Sequence, residues 1–341
     1  MLSSLVRSDL DPARRRLLAA STYSLTALAL PGPGLVREPA SVSVGEVSSL
    51  ARMAQMEAMA RQFADAAETY GGGAVRTALA GYLVGPVTGW LHASTAEPVH
   101  RKLLARAARL TLLLGTMTAD DGADALAQRY HHTAACLAAE AGDRAVFAIT
   151  LRAMATHAHD LGHHTPAVMN LAGRAVDAAR DAPRIIRAYT QAHLAVTAAT
   201  EDRHTALTAL HQAERLHQQA DSAPGPFTAY PLAALHYQRA QTLAALGDRS
   251  NAIGAYTASL RLRTPTERHA RTLTHAHLAE TLLAHGHLDA ALTHWTHFLD
   301  NYPHLSSVRA ARRLDVMRRH LIPHHRHRPA AALLDRATPL R

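Results

Sequence analysis

Residues 243–260, LAALGDRSNAIGAYTASL, and residues 282–299, LLAHGHLDAALTHWTHFL, decide how this chain folds. Set one over the other at an offset of 39 residues, each runs from leucine and alanine through a glycine to small and aromatic residues at helical intervals. Gly247 and Gly286 stand where one helix must stop and the chain reverse. The same offset carries residues 161–168, LGHHTPAV, onto residues 200–207, TEDRHTAL, where Glu201 replaces the turn glycine. Between Glu201 and Gly247 the interval widens to 46 residues, and Ala220-Asp221-Ser222-Ala223-Pro224-Gly225-Pro226 reads as an inserted loop.

Outward from this core the pattern continues. Apolar residues recur at helical spacing from Val47 to His320, broken at Gly71-Gly72-Gly73, Ala119-Asp120-Asp121-Gly122, Gly142-Asp143 and Gly162-His163-His164. Nothing between the breaks reads as a strand. Hydrophobic residues make up 48% of the chain and aromatic residues 4%, with alanine and leucine dominant, a balance that favours helices over sheets. The expected class is all-α, built as antiparallel helix pairs, and 341 residues suit either two domains or one elongated repeat array.

The single cysteine, Cys136, excludes an internal disulfide framework and a thiolate metal cluster. Lys102 is the one lysine among 36 basic residues, and the 25 histidines share that compositional skew. Of the net charge of +9, residues 309–341 hold +7, from nine arginines and two aspartates. That stretch has no aromatic residue on which a base could stack, so a solvated helix end with a loose tail is expected, and contact with nucleic acid is limited to weak electrostatics.

Two readings of residues 13–30, ARRRLLAASTYSLTALAL, stay open at this level. One is a twin-arginine export signal: Arg14, Arg15 and Arg16 precede an apolar run that ends in the A-x-A pattern Ala27-Leu28-Ala29. The other is a short helix whose inner face is Leu17, Leu18, Tyr23, Leu25, Leu28 and Leu30, stopped by Pro31-Gly32-Pro33-Gly34. Either way the run is shorter than the ~20 residues needed to cross a bilayer, and no membrane span is expected.

No G-x-S-x-G or H-E-x-x-H motif occurs, and Lys102 follows Arg101 rather than a phosphate-loop glycine, so no enzymatic activity is expected. His159 and His163, with His157, Asp160 and His164, have a spacing that a zinc site could use, and His324-His325-Arg326-His327 could chelate adventitiously. Gly162 ends the helix before His163 can share its face. These read as turn residues, and neither a metal nor a cofactor is expected.

Leu278, Ala279, Leu282, Gly286, Ala291, Leu292, Trp295, Phe298, Leu299 and Pro303 fall on the spacing of a tetratricopeptide repeat, which this part of the chain resembles. The preceding unit matches at Ala240, Leu243, Gly247, Ala252, Ile253, Tyr256 and Leu260, with Arg239 and Ser259 at less typical places. A second, broader resemblance lies in residues 117–175, MTADDGADALAQRYHHTAACLAAEAGDRAVFAITLRAMATHAHDLGHHTPAVMNLAGRA, and residues 63–83, FADAAETYGGGAVRTALAGYL. Both are similar to the helical sensor region of actinobacterial helix-turn-helix regulators of the XRE type. Together the resemblances span roughly residues 50 to 320. In that family a segment similar to RRRLLAAS joins the DNA-binding domain to the sensor region, which implies a cytoplasmic protein. Here only 34 residues run to the end of the Pro-Gly break, too few for a helix-turn-helix domain, so base-specific reading is not implied.

The resemblances imply a solenoid of tetratricopeptide-like pairs. Its parts would be a joining or signal-like segment at 1–34, a helical lead at 35–120, repeats over 121–320 and a basic tail at 321–341. Carried over position by position, the repeat pattern puts Arg152, Thr156 and His159 on a concave face, followed by Gln191, then Tyr237 and Gln241, then Glu280. Such a face holds an extended peptide or a partner helix. The expectation is a non-catalytic regulatory scaffold for a protein or peptide, with a small signal and a homo-oligomer both open. An exported helical binding protein is the alternative.

Overall fold

The computed structural model describes residues 1–19, 21–28, 46–93, 95–220 and 230–340, and among them there is no strand. Helices α1 (Leu2–Leu10) and α2 (Pro12–Ala19) come first, followed by a single 3-10 turn at Thr26–Leu28. A long α3 (Glu46–Tyr70) meets α4 (Gly72–Tyr82), which runs through a π turn at Leu83–Val87 into the short α5 (Thr88–His92). Pro86 lies inside that turn, where its missing N–H interrupts the regular ladder. The rest of the chain packs as adjacent pairs. These are α6 (Glu97–Asp120) with α7 (Asp124–Ala141), α8 (Arg144–Asp160) with α9 (Pro166–Ala178), and α10 (Arg184–Ala198) with α11 (Arg203–Gln218). They continue as α12 (Leu232–Ala245) with α13 (Arg249–Leu262), α14 (Arg268–Ala284) with α15 (Leu288–Asn301), and α16 (Val308–Leu321) with α17 (Arg328–Ala337).

Local chemistry sets the ends of these helices. Gly142 takes φ +69° at the end of α7, and Asp143 then accepts a hydrogen bond from the Val146 N–H at 3.0 Å to cap α8. The pair Gly247 and Asp248 does the same between α12 and α13. Where Glu201 stands in place of glycine, α10 ends on a right-handed Ala199, and Asp202 starts α11 by accepting from the Thr205 N–H at 3.0 Å. Most of the proposed inserted loop, Asp221 to Pro226, lies outside the described residues.

Packing follows the apolar register. Trp295 and Phe298 are fully buried and meet edge to face with ring centres 5.5 Å apart. Ala240, Ala276, Ala279 and Ala291 are fully buried in the same cluster, where their small side chains let helices approach closely. A second large cluster, from Leu2 to Tyr130, holds the N-terminal helices together.

At the N-terminus the structure departs from the expected short helix. α2 stops at Ala19, residues 22–24 are irregular, and Leu30 and Pro31-Gly32-Pro33-Gly34 lie outside the described residues. Gln128 of α7 holds the backbone of Ser24 from both sides, accepting from its N–H at 3.1 Å and donating to its carbonyl at 2.6 Å. Ser21, Thr22 and Ser24 are poor helix residues, and that grip takes the backbone groups a helix would have used. Leu28 is then buried against α8 and α9, with Tyr23 and Leu25 beside it. One turn earlier, α1 is docked by a buried ion pair. Arg76 donates to both carboxylate oxygens of Asp9 at 2.8 Å, and the Tyr130 hydroxyl donates to the same carboxylate at 2.7 Å.

The C-terminal residues also differ from the expected loose tail. Ala330, Leu333 and Ala337 recur on one face of α17 and are buried in the cluster of α14–α16. Arg318 donates to the carbonyls of Ala337 and Leu340 at 2.6 and 2.7 Å, and Arg336 pairs with Asp300 at 2.9 Å. Their charge is spent partly on closing a helix rather than left wholly to solvent.

Finally, the turn between α3 and α4 meets the segment before α16. The Ser306 N–H donates to the Tyr70 carbonyl at 2.8 Å, and the Gly73 N–H donates to the Ser306 carbonyl at 3.1 Å. This contact explains the glycine run. A Cβ on Gly71 would lie 2.4 Å from the Ser306 carbonyl oxygen, and one on Gly72 would lie 2.8 Å from the Met117 Cα.

Candidate functional site: the face shared by the first helices of the pairs

The first helices of successive pairs, α8, α10, α12, α14 and α16, share one surface that carries most of the site residues read from the sequence. The structure gathers these into two linked groups. In the first, Arg152 of α8 lies over the Tyr189 ring of α10, 3.6 Å from its centre, and donates weakly to the Tyr189 carbonyl and to the Thr156 hydroxyl. Thr156 in turn reaches His193 Nε2 at 3.3 Å. His159 sits beside His164, with 3.2 Å between their Nδ1 atoms, and its ring also faces His193. His163 is elsewhere, stacked on Tyr23 beyond the end of α8.

The second group is centred on Tyr237 of α12, whose ring packs against Tyr256 and against His277 of α14, with centres 5.7 and 5.9 Å apart. Glu280, one turn beyond His277, pairs with Arg313 of α16 at 3.2 Å. Asp160 and Arg309 join the two groups: they pair at 3.0 Å, Asp160 follows His159 in sequence, and both act electrostatically on Tyr237. Arg312, on the same face of α16, reaches Asp124 at the start of α7 at 3.2 Å.

Two of the sequence-derived residues stand apart. Gln191 lines a small cleft of about 110 Å³ between α9, α10 and α11, because it lies two residues from both Tyr189 and His193 and so faces away from them. Gln241, one turn beyond Tyr237 on the same face of α12, is half-buried, and its side chain joins neither group. Conversely, Tyr189, His193, His277 and the arginines of α16 belong to the site but were not read from the sequence. Tyr189 and His193 carry a signal in principle, since they stand at i and i+4 on one helix face.

Burial governs the electrostatics of this face. It pushes His277 down to about 3, with Arg313 and Arg309 adding to the effect, so the 3.8 Å contact with Glu280 is not an ion pair at neutral pH. His193 is lowered well below its usual range by burial, then by Arg152 and His159. Burial, then His164, lowers His159 as well, against a smaller opposing pull from Asp160. Tyr237 is raised to about 12 by burial above all. Glu280 is also raised, because desolvation outweighs the pull of Arg313. The face therefore presents neutral rings alternating with guanidinium groups.

Among the described residues no three His, Cys, Asp or Glu side chains are placed to hold a metal ion. Cys136 lies 3.7 Å from His132, but burial, and then Glu140, raises its thiol, opposite to what a thiolate nucleophile needs. No helix among the described residues is long and apolar enough to cross a membrane. No protein-family model matches the chain, and neither the curated proteins nor the solved structures compared with it yield a match.

Proposed function

We propose that this chain is a non-catalytic regulatory scaffold, a tetratricopeptide-like array that binds a protein or peptide on the face shared by α8, α10, α12, α14 and α16, in transcriptional or developmental regulation. One observation carries the reading. Arg309, Arg312 and Arg313 each meet a carboxylate, whereas Arg152 meets none among the described residues and is held instead on the Tyr189 ring. A guanidinium fixed by stacking and left without a counter-ion is pre-organised for a group brought by another molecule.

Site-specific photo-crosslinking tests this. A photoreactive residue at Gln241 should capture the partner in cells of origin, and one at the exposed Thr293 of α15 should not. Capture from Thr293 alone, or loss of selectivity between the two, refutes the assignment. Arg152→Ala should then weaken capture from Gln241.

The cytoplasmic reading of residues 1–30 has support of its own. The Asp9 carboxylate is the buried partner of both Arg76 and Tyr130, and a protein trimmed after Ala29 would leave the Tyr130 hydroxyl without that acceptor and Arg76 with only its 3.6 Å contact to Asp121 as an ion pair. Intact mass of the protein from its own cells should retain residues 1–29, and a species beginning near Leu30 would favour the exported alternative.

A further inference from the structure

We propose that the contact between residues 69–73 and 305–312 is a polar latch, able to open while the helix pairs on either side remain folded, and that it gates access to the shared face. The gating rests on the reading above, but the latch does not.

The apolar clusters motivate the idea. The N-terminal cluster runs from Leu2 to Tyr130 and the C-terminal one from Ala240 to Ala337, and neither contains a residue of the other. Besides the packing of α3 on α14, the two parts are joined by a set of polar contacts. Asp120, at the end of α6, is the hub. It accepts from the Gly72 N–H at 2.7 Å and from the Ser307 hydroxyl at 2.6 Å, and lies 3.3 Å from His269 of α14. Ser307 also caps α16, accepting from the Ala310 N–H at 3.2 Å. Outside this hub stand the two Ser306 backbone bonds and the pairs Arg309–Asp160 and Arg312–Asp124. Val308 adds an apolar contact, its side chain lying against Gly122.

Such a seam differs physically from the helix pairs. An apolar interface is insensitive to salt, whereas the two arginine pairs are about one-third exposed on the arginine side, 33% and 38%, and are screened as ionic strength rises. The seam should therefore open below the free energy of global unfolding, as a separate cooperative unit. Because Arg309 and Arg313 flank Tyr237 and Glu280, opening would expose the second half of the shared face.

Native-state hydrogen exchange on the full chain, with no partner present, decides the matter. Amides of residues 69–75 and 304–311 should exchange together, faster than those of α6–α7 and α12–α13, and should speed up about tenfold in 1 M NaCl relative to 0.05 M. Asp120→Asn should accelerate the same two segments by a larger factor than it accelerates the two reporter pairs. If Asp120→Asn does not fold, Arg312→Gln serves in its place. Exchange of both segments at the rate of the reporters in every condition would show that the seam opens only when the protein unfolds, and would overturn the latch. Because no partner is present, this result is independent of whether the shared face binds one.

Discussion

Asp9→Ala is the most demanding test of how the N-terminal helix is held. The Asp9 side chain is 2% exposed and that of Arg76 is 3% exposed, and the pair is bidentate at 2.8 Å. Removing one partner of a buried ion pair leaves the other charge without compensation, a loss of about 3–5 kcal/mol. The Tyr130 hydroxyl loses its acceptor too, but Arg76 keeps a 3.6 Å contact with the half-exposed Asp121, which softens the penalty toward the lower end of that range. Replacing both charged groups by apolar ones should restore most of the loss, because a well-packed apolar pair of similar volume is close to neutral against a buried salt bridge. Urea denaturation followed by helical circular dichroism measures both. The expected pattern is a fall of about 3 kcal/mol for Asp9→Ala, and a fall of about 1–2 kcal/mol for Asp9→Ala with Arg76→Met, the remainder reflecting the stranded tyrosine. A single-variant effect below about 1 kcal/mol would mean that α1 is not docked through this pair, and would remove the support it gives to the cytoplasmic reading.

Three further outcomes follow from single features. Gly71→Ala should cost markedly more than Gly142→Ala: both have positive φ, worth about 1–2 kcal/mol, but only Gly71 also faces the Ser306 carbonyl, and unfolding midpoints of the two variants compare them directly. Trp295→Ala, emptying a fully buried site, should lower stability by about 3–5 kcal/mol in the same assay. On acidification, burial pushes the Asp120 carboxyl up, but His269, Arg309 and Ser307 outweigh it and bring it down to about 2 from 3.8. A folded value below the unfolded one stabilises the fold above about pH 4, and that contribution, about 2 kcal/mol, is lost as pH falls toward 2. Asp120→Asn should remove this part of the acid dependence, and an unchanged acid profile would contradict the assignment.

Much of the architecture was legible in the residues alone, because its causes are local. Helical periodicity, left-handed glycines such as Gly142 and Gly247, and the aspartates that follow them act within one or two turns. The small Ala279 and Ala291 and the large Trp295 and Phe298 mark one packed pair for the same reason. Arg152, Thr156 and His159 are grouped by the repeat resemblance, and they sit at intervals of three and four on one helix. The face that completes them could not be read from sequence. Tyr189 and His193 reach Arg152 and Thr156 across a helix interface, and the arginines of α16 meet Asp124 and Asp160 only because the chain returns upon itself. The glycine run at 71–73 looked like a helix break, which it is, but its tightest contact is with Ser306, a partner no local rule could name. Helix identity arises from short-range backbone and side-chain preferences, whereas charge pairing between distant segments depends on how the helix pairs pack on one another, which tertiary structure alone fixes.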